Sequence, residues 1–255
     1  NLESQINPVV NPKRQQPLEA AIEKARKERR NAVPSADATQ PPANSAGPDH
    51  VREPARPDHV RNVSFAWQEL GEIKVSARNA RNHRISTLSK NSGAGPYDML
   101  RSRTMRIMRE NGWKRLAITS PNMACGKTTV ATNLAFSLAR QSDNRVILLD
   151  MDMRRPSMHD ILSHRDRWSF HDVLEGKLHP EEQLLRFGEN LIFGLNYKPA
   201  NNPAELLQSE KTREILEIIE AKFQPDFILF DMPPMLVSDD NVGFMQNVDC
   251  GLLIG

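Results

Sequence analysis

Residues 116–129 read Leu-Ala-Ile-Thr-Ser-Pro-Asn-Met-Ala-Cys-Gly-Lys-Thr-Thr. The run Leu116–Thr119 has the length and apolar character of a buried strand, and it passes directly into a loop that ends Gly126-Lys127-Thr128. Beyond the loop, Val130, Leu134 and Leu138 recur at helical intervals. Strand, tight loop and helix in this order aim the loop N–H groups and the helix N-terminus at one point, which favours an anion there. The loop is poor in glycine. Gly126 is its only one, Pro121 stands five residues earlier where the general pattern has glycine, and Ala124 is strained if its backbone takes a positive φ.

The same grammar recurs twice. Val146–Leu149 runs into Asp150-Met151-Asp152-Met153-Arg154-Arg155-Pro156, and Phe227–Phe230 runs into Asp231-Met232-Pro233-Pro234. Between and around these runs the spacing predicts a helix over 97–111 stopped by Gly112, helical stretches at 170–175 and 181–187, and a strand at 191–195. It further predicts one long helix from Pro203 to Phe223 and a strand at 252–254. Strands alternating with helices imply an α/β fold, a parallel sheet with helices on both faces. In such sheets the ligand lies at the carboxyl ends of the strands, so the chemistry is expected just after Thr119, Leu149 and Phe230.

All three strand ends carry suitable groups. Gly126-Lys127-Thr128 closes a Walker A loop, in which the backbone of Ala124, Cys125, Gly126, Lys127, Thr128 and Thr129 cradles phosphates. Lys127 then neutralises the β/γ oxygens and the Thr128 hydroxyl reaches a magnesium ion, so ATP with Mg2+ is the expected ligand. Asp150 and Asp152 are placed to bind that metal and to accept a proton from a nucleophile, and Asp231 reads as the Walker B aspartate. Each motif alone has a bland reading as an ordinary polar loop. Three in order, each after an apolar run, are far more specific.

Composition divides the chain. Residues 1–96 hold 10 of the 18 prolines and two of the 14 aromatics, with 15 basic and 10 acidic residues, against 19 and 22 in residues 97–255. So little apolar surface cannot offset the entropy of ordering, and residues 1–96 are read as mostly disordered, with the folded domain at 97–255. Within them, Pro17–Arg30 has the composition of a short basic helix able to meet a partner or an anionic lipid surface, the alternative being a solvated charged helix. PDHVR occurs at 48–52 and again at 57–61, too few copies for a solenoid. The apolar cluster Val63, Phe65, Trp67, Leu70 and Ile73 is read as packing on the domain or a partner, or as a transient patch. Cys125 and Cys250 form no ligand-spaced set, which argues against a disulfide framework or zinc site and for a reducing cytoplasm. No apolar run is long enough to span a membrane, and the terminal run Cys250–Gly255 reads as a strand at a cut edge of a longer protein.

The motifs SPNMACGKTT, VILLDMDMRRP and FILFDMPP together resemble the bacterial tyrosine kinases that regulate capsule and exopolysaccharide synthesis, above all the soluble members that work with a separate membrane co-polymerase. The resemblance covers residues 83–255 and includes YDMLRSRTMRIMRENGW, NPAELLQSEK and the final SDDNVGFMQNVDCGLLIG. It implies a protein-tyrosine kinase at the inner face of the plasma membrane, using ATP and Mg2+. Lys127, Asp150, Asp152 and Arg154 would serve catalysis, with Thr128, Asp150, Asp152 and Asp231 at the metal. It also implies a homo-oligomeric ring, a co-polymerase partner, no nucleic acid, and membrane contact only through the partner or the basic helix. Two departures stand out. The only tyrosines are Tyr97 and Tyr197, and Asp98 lies where many members carry the glutamate of an assembly motif. Two other readings compete: an ATP-switched adaptor without catalysis, and a partition or cell-division ATPase, which would need a lysine near Asn122. A GTPase is disfavoured because no N-K-x-D guanine signature occurs.

Overall fold

The computed structural model describes residues 58–88, 92–237 and 240–255. The basic helix read at Pro17–Arg30 and most of the linker up to residue 61 lie outside the described residues. In chain order the elements are α1 (Asp58–Gln68), β1 (Gly71–Glu72), α2 (Ala77–Asn82), α3 (Gly95–Asn111), β2 (Arg115–Thr119), α4 (Lys127–Ala139) and β3 (Val146–Asp150). They continue with α5 (Met158–Leu162), α6 (Phe170–Leu174), α7 (Pro180–Gln183), β4 (Leu185–Phe187), β5 (Leu191–Gly194), α8 (Pro203–Gln208) and α9 (Glu210–Phe223). Last come β6 (Phe227–Asp231), α10 (Asp240–Phe244) and β7 (Cys250–Leu253).

The seven strands form one sheet in the order β1-β4-β5-β3-β6-β2-β7, parallel except for the β4–β5 pair. Its central strands are buried on both faces, and the period of two sorts their side chains between two cores. Leu116, Ile118, Val146, Leu148, Phe227 and Leu229 pack on one side with α3 and α4. Ala117, Ile147, Leu149, Ile228 and Phe230 pack on the other with α1, α6 and α9. The parity matters for the site. Asp150 and Asp231 continue the series that faces α4, and the register sets them side by side on adjacent strands.

The structure moves several boundaries. Among the described residues, packed structure already precedes Tyr97, in α1, β1 and α2. On α1, Val63, Ala66 and Trp67 are buried, and the Trp67 indole donates 2.8 Å to the Phe223 carbonyl while its ring meets Phe223 edge-on. Residues 84–87 are tied to α4 by Asn133, whose amide donates to the Arg84 carbonyl (3.0 Å) and whose carbonyl oxygen accepts the Ser86 and Thr87 N–H groups. Of the apolar cluster read at Val63–Ile73, Val63, Trp67, Leu70 and Ile73 pack on the domain and Phe65 is exposed; averaging composition over 96 residues placed the segment with the proline-rich stretch that precedes it. The helix read at 181–187 is a single turn, α7, followed by β4, because a strand pairing for Leu185–Phe187 outcompetes a second turn. The long helix at 203–223 is two helices. Ser209 is extended and its hydroxyl accepts the Thr212 N–H (3.1 Å), capping α9 afresh.

Candidate functional site

The loop between β2 and α4 is held from beneath. The Thr119 hydroxyl donates to the Pro233 carbonyl (2.7 Å), the Met235 N–H to the Ser120 carbonyl (2.8 Å), and the Ser120 hydroxyl to the Asn122 carbonyl (2.6 Å). Ala124 has φ 61° and Gly126 φ 85°, so the turn demands left-handed backbone at both, and only the second position is a glycine. Gly126 caps α4 without a side-chain hydrogen bond, which leaves the first-turn N–H groups of α4 facing the loop. This is the geometry of an anion site.

Four charged side chains converge in front of that turn. Lys127 Nζ ion-pairs with Asp152 Oδ2 at 2.8 Å, and it also senses Asp231 and Asp150. Burial alone would lower the lysine's proton affinity, but the three carboxylates outweigh it and raise it. The Asp152 N–H donates to Asp150 Oδ1 (3.1 Å), the Arg155 N–H donates to Asp152 Oδ1 (3.2 Å), and the Thr128 hydroxyl bonds Asp231. Asp150 Oδ2 and Asp231 Oδ1 are buried with no hydrogen-bond partner in the protein. Burial, then the neighbouring charges of Asp231 and Asp152, pushes Asp150 well above the usual carboxylate range. Burial likewise lifts Asp231 to about 6, against the opposing pull of Lys127 and Thr128. Two orphaned oxygens on adjacent buried carboxylates, with a hydroxyl beside them, form a hard oxygen donor set that is short of positive charge. That set fits a divalent cation such as Mg2+.

The cluster opens into a cavity of about 450 Å³ lined by Met123, Ala124, Lys127, Asp152, Arg154, Arg155, Pro233, Pro234 and Val237. The structure therefore gathers Lys127, Thr128, Asp150, Asp152 and Asp231 at one point and sets Ala124 and Arg154 on the cavity wall. Cys125 and Thr129 supply no side chain to the wall. The Cys125 thiol lies 3.8 Å from the Met123 carbonyl, and the Thr129 carbonyl accepts from Asn133. Sequence reasoning gave no role to Arg155 or to Pro233 and Pro234, although all three sit inside the stretches it quoted. Nor did it reach Asn241, whose amide donates to the Pro233 carbonyl (3.0 Å) and fixes that wall. Asp98 is engaged within the chain: it accepts from the Ser137 hydroxyl (2.8 Å) and ion-pairs with Arg101 (3.3 Å) and Arg140.

Comparison with known proteins agrees with this geometry. The ParA family, described as NUBPL iron-transfer P-loop NTPase, matches residues 113–254, more than half of the chain. The tyrosine-protein kinase ptk of Acinetobacter johnsonii is 33% identical over 143 residues, covering 54% of this chain and 19% of the relative. The tyrosine-protein kinase YwqD of Bacillus subtilis is 31% identical over 165 residues, covering 64% of this chain and 68% of the relative. The chain thus spans about a fifth of the first relative and two thirds of the second. Among solved structures, the kinase domain of the Escherichia coli tyrosine kinase ETK superposes with TM-score 0.61 at 27% identity, covering 67% of each chain. The BceF tyrosine kinase domain superposes with TM-score 0.58 at 24% identity, over 78% of this chain and 84% of that one, a likeness of fold. With its phosphate loop, its buried aspartates and a relative matched over most of its length, the chain belongs to the bacterial P-loop tyrosine-kinase family, a branch of the ParA-type P-loop NTPases.

Proposed function

We propose that the chain is the catalytic domain of an ATP-dependent protein-tyrosine kinase that regulates capsule or exopolysaccharide synthesis. The observation that carries this reading is the cluster of Lys127, Thr128 and three aspartates at the floor of one cavity, lined by Lys127 and Asp152, with Asp150 and Asp231 holding buried, unpartnered carboxylate oxygens behind them. In this mechanism Lys127 leaves Asp152 for the β/γ oxygens of ATP, while the loop and first-turn N–H groups hold the phosphates. Asp150, Asp231 and Thr128 would hold Mg2+, which would neutralise charge on the transferring phosphoryl group. Release of Lys127 leaves the Asp152 carboxylate free to accept the tyrosine hydroxyl proton. The phenolic oxygen forms its bond to the γ phosphorus as the bond to ADP breaks. Arg154, on the cavity wall, balances charge on the phosphates.

The acceptor tyrosine comes from outside this cavity. Tyr197 is half-buried with its hydroxyl 2.7 Å from His164 Nδ1, and burial raises its proton affinity, which makes it a poor nucleophile. A second copy in a ring, and a membrane co-polymerase whose cytoplasmic segment activates it, are the partners this reading requires. No helix among the described residues is long and apolar enough to cross a membrane, and this reading routes membrane contact through that partner or the basic N-terminal segment. The test measures ATP affinity and tyrosine phosphorylation together, in the full-length protein with the activating segment. Lys127→Met is expected to lose both. Asp152→Asn is expected to lose transfer by at least about a hundredfold while nucleotide affinity falls much less. Undiminished transfer in Asp152→Asn would overturn the assignment of the base, and a parent that binds ATP without transferring phosphate would leave an ATP-switched adaptor.

A further inference from the structure

A second convergence of ligating side chains lies on α6 and its C-cap residue Glu175, away from the phosphate loop. His171 and Glu175 are four residues apart and share one helix face, and Asp172 stands beside them at the start of the helix. His171 Nδ1 lies 3.8 Å from Asp172 Oδ1 and 3.9 Å from Glu175 Oε1. One donor atom from each of the three side chains falls within 4.8 Å of the others. His171 is 4% exposed, yet neither ring nitrogen has a hydrogen-bond partner in the protein. A buried imidazole with both nitrogens unsatisfied is costly and calls for a ligand.

The carboxylates already converge on a cation. Lys177 Nζ reaches in from solvent to Asp172 Oδ1 (3.3 Å) and Glu175, and Lys198 stands 3.9 Å from Asp172 Oδ2. The ammonium satisfies the two acids but leaves the imidazole empty, whereas a transition cation would satisfy all three side chains. The geometry points to a binding site for a divalent cation of the zinc class at His171, Asp172 and Glu175, with the Lys177 ammonium holding its place in the metal-free protein. Zinc bonds of about 2.0–2.2 Å set tetrahedral ligand atoms roughly 3.3–3.6 Å apart, so small rotamer shifts close the present spacing. Lys177 is more than half exposed and can swing into water. Asp172 is already oriented as a ligand: its Oδ2 accepts the Ser169 N–H (2.9 Å), leaving Oδ1 toward the imidazole. The site also touches the phosphate-binding end of the sheet. The His171 N–H donates to Asn196 Oδ1 (2.9 Å), and the Asn196 amide donates to the Asp150 carbonyl (2.7 Å).

The experiment titrates Zn2+ alone, by calorimetry, into the chelator-stripped full chain, with Mg2+ as the control cation. The parent is expected to bind a Zn2+ at this site, besides any cation taken by Asp150 and Asp231, and His171→Gln is expected to weaken it by at least about tenfold, the effect of disturbing a metal's ligand shell. Glu175→Gln, at a partly exposed position where folding is not at stake, is expected to weaken it likewise. Lys177→Gln is expected to tighten binding a few-fold, up to about fivefold, because it removes a competing exposed ion pair. Equal Zn2+ affinity in His171→Gln, Glu175→Gln and the parent overturns the site. So does a Lys177→Gln variant that fails to bind Zn2+ more tightly than the parent.

Discussion

Asp231→Asn separates the cost of the carboxylate cluster from its use. In the metal-free protein burial raises Asp231 from the ordinary 3.8 to about 6. The folded state therefore holds a proton that the unfolded chain has already released between those values. Stability falls as pH climbs through that window, and the whole penalty is present above about pH 6. At about 1.36 kcal/mol per tenfold in proton affinity, a rise of that size corresponds to roughly 3 kcal/mol as an upper bound. Local relaxation and water entry reduce it, and about 1–2 kcal/mol is the working expectation, equivalent to roughly 2–8 °C in a domain of this size. Asparagine keeps an acceptor for the Thr128 hydroxyl but carries no charge, and it also removes one of the charges that raises Asp150. Melting curves in a chelator from pH 4 to pH 8 should show the variant more stable than the parent at pH 8, with the gap closing toward pH 4. Added Mg2+ should restore the parent and leave the variant unmoved. Parallel pH profiles for the two proteins would refute the claim that Asp231 carries uncompensated charge.

Two further substitutions test the loop and the fold boundary. Ala124→Gly relieves a left-handed alanine worth about 1–2 kcal/mol at the expense of about 0.4–1 kcal/mol of chain entropy. Its melting temperature should rise by up to about 6 °C with ATP affinity retained, and a clear fall would mean that the turn does not need positive φ there. Trp67→Ala empties a site only 2% exposed and removes the indole hydrogen bond to Phe223, so it should cost about 3–5 kcal/mol. A melting temperature within about 2 °C of the parent's would detach α1 from the domain.

The parts of the fold most legible in the sequence are those where one physical signal dominates. β2, β3, β5 and β6 are buried on both faces, so they stand out as unbroken apolar runs with polar groups at their ends. Each aspartate of the site follows from such a run. β1 and β4 were illegible for the opposite reason: they are two and three residues long and lie toward one side of the sheet, β1 exposed and β4 only partly buried, so neither length nor periodicity marks them. Ser209 ends one helix and caps the next, yet a serine inside an apolar helical pattern carries no such message by itself. In the segment from Asp58 to Leu88 the apolar cluster at Val63–Ile73 was visible, but composition averaged over the proline-rich stretch before it left its packing undecided. The orphaned imidazole of His171 and the amide bridge of Asn196 are single residues whose meaning depends on partners far along the chain, and no local pattern encodes them.

The same charge count that costs stability gives the site its preference. Three carboxylates face one ammonium in front of the α4 N-terminus, and two of the three are fully buried. A nucleotide arriving without a counter-cation would bring further negative charge to a cluster already short of positive charge. Its phosphates would gain Lys127 and the helix N-terminus only by stripping Asp152 of its ion pair. A nucleotide arriving with a divalent cation would supply what Asp150 and Asp231 lack, and under the proposed mechanism the freed Asp152 would be the one carboxylate of the three left to handle a proton. Binding of ATP should therefore be strongly cooperative with binding of the metal, and the Lys127–Asp152 pair is the contact that the two together must open.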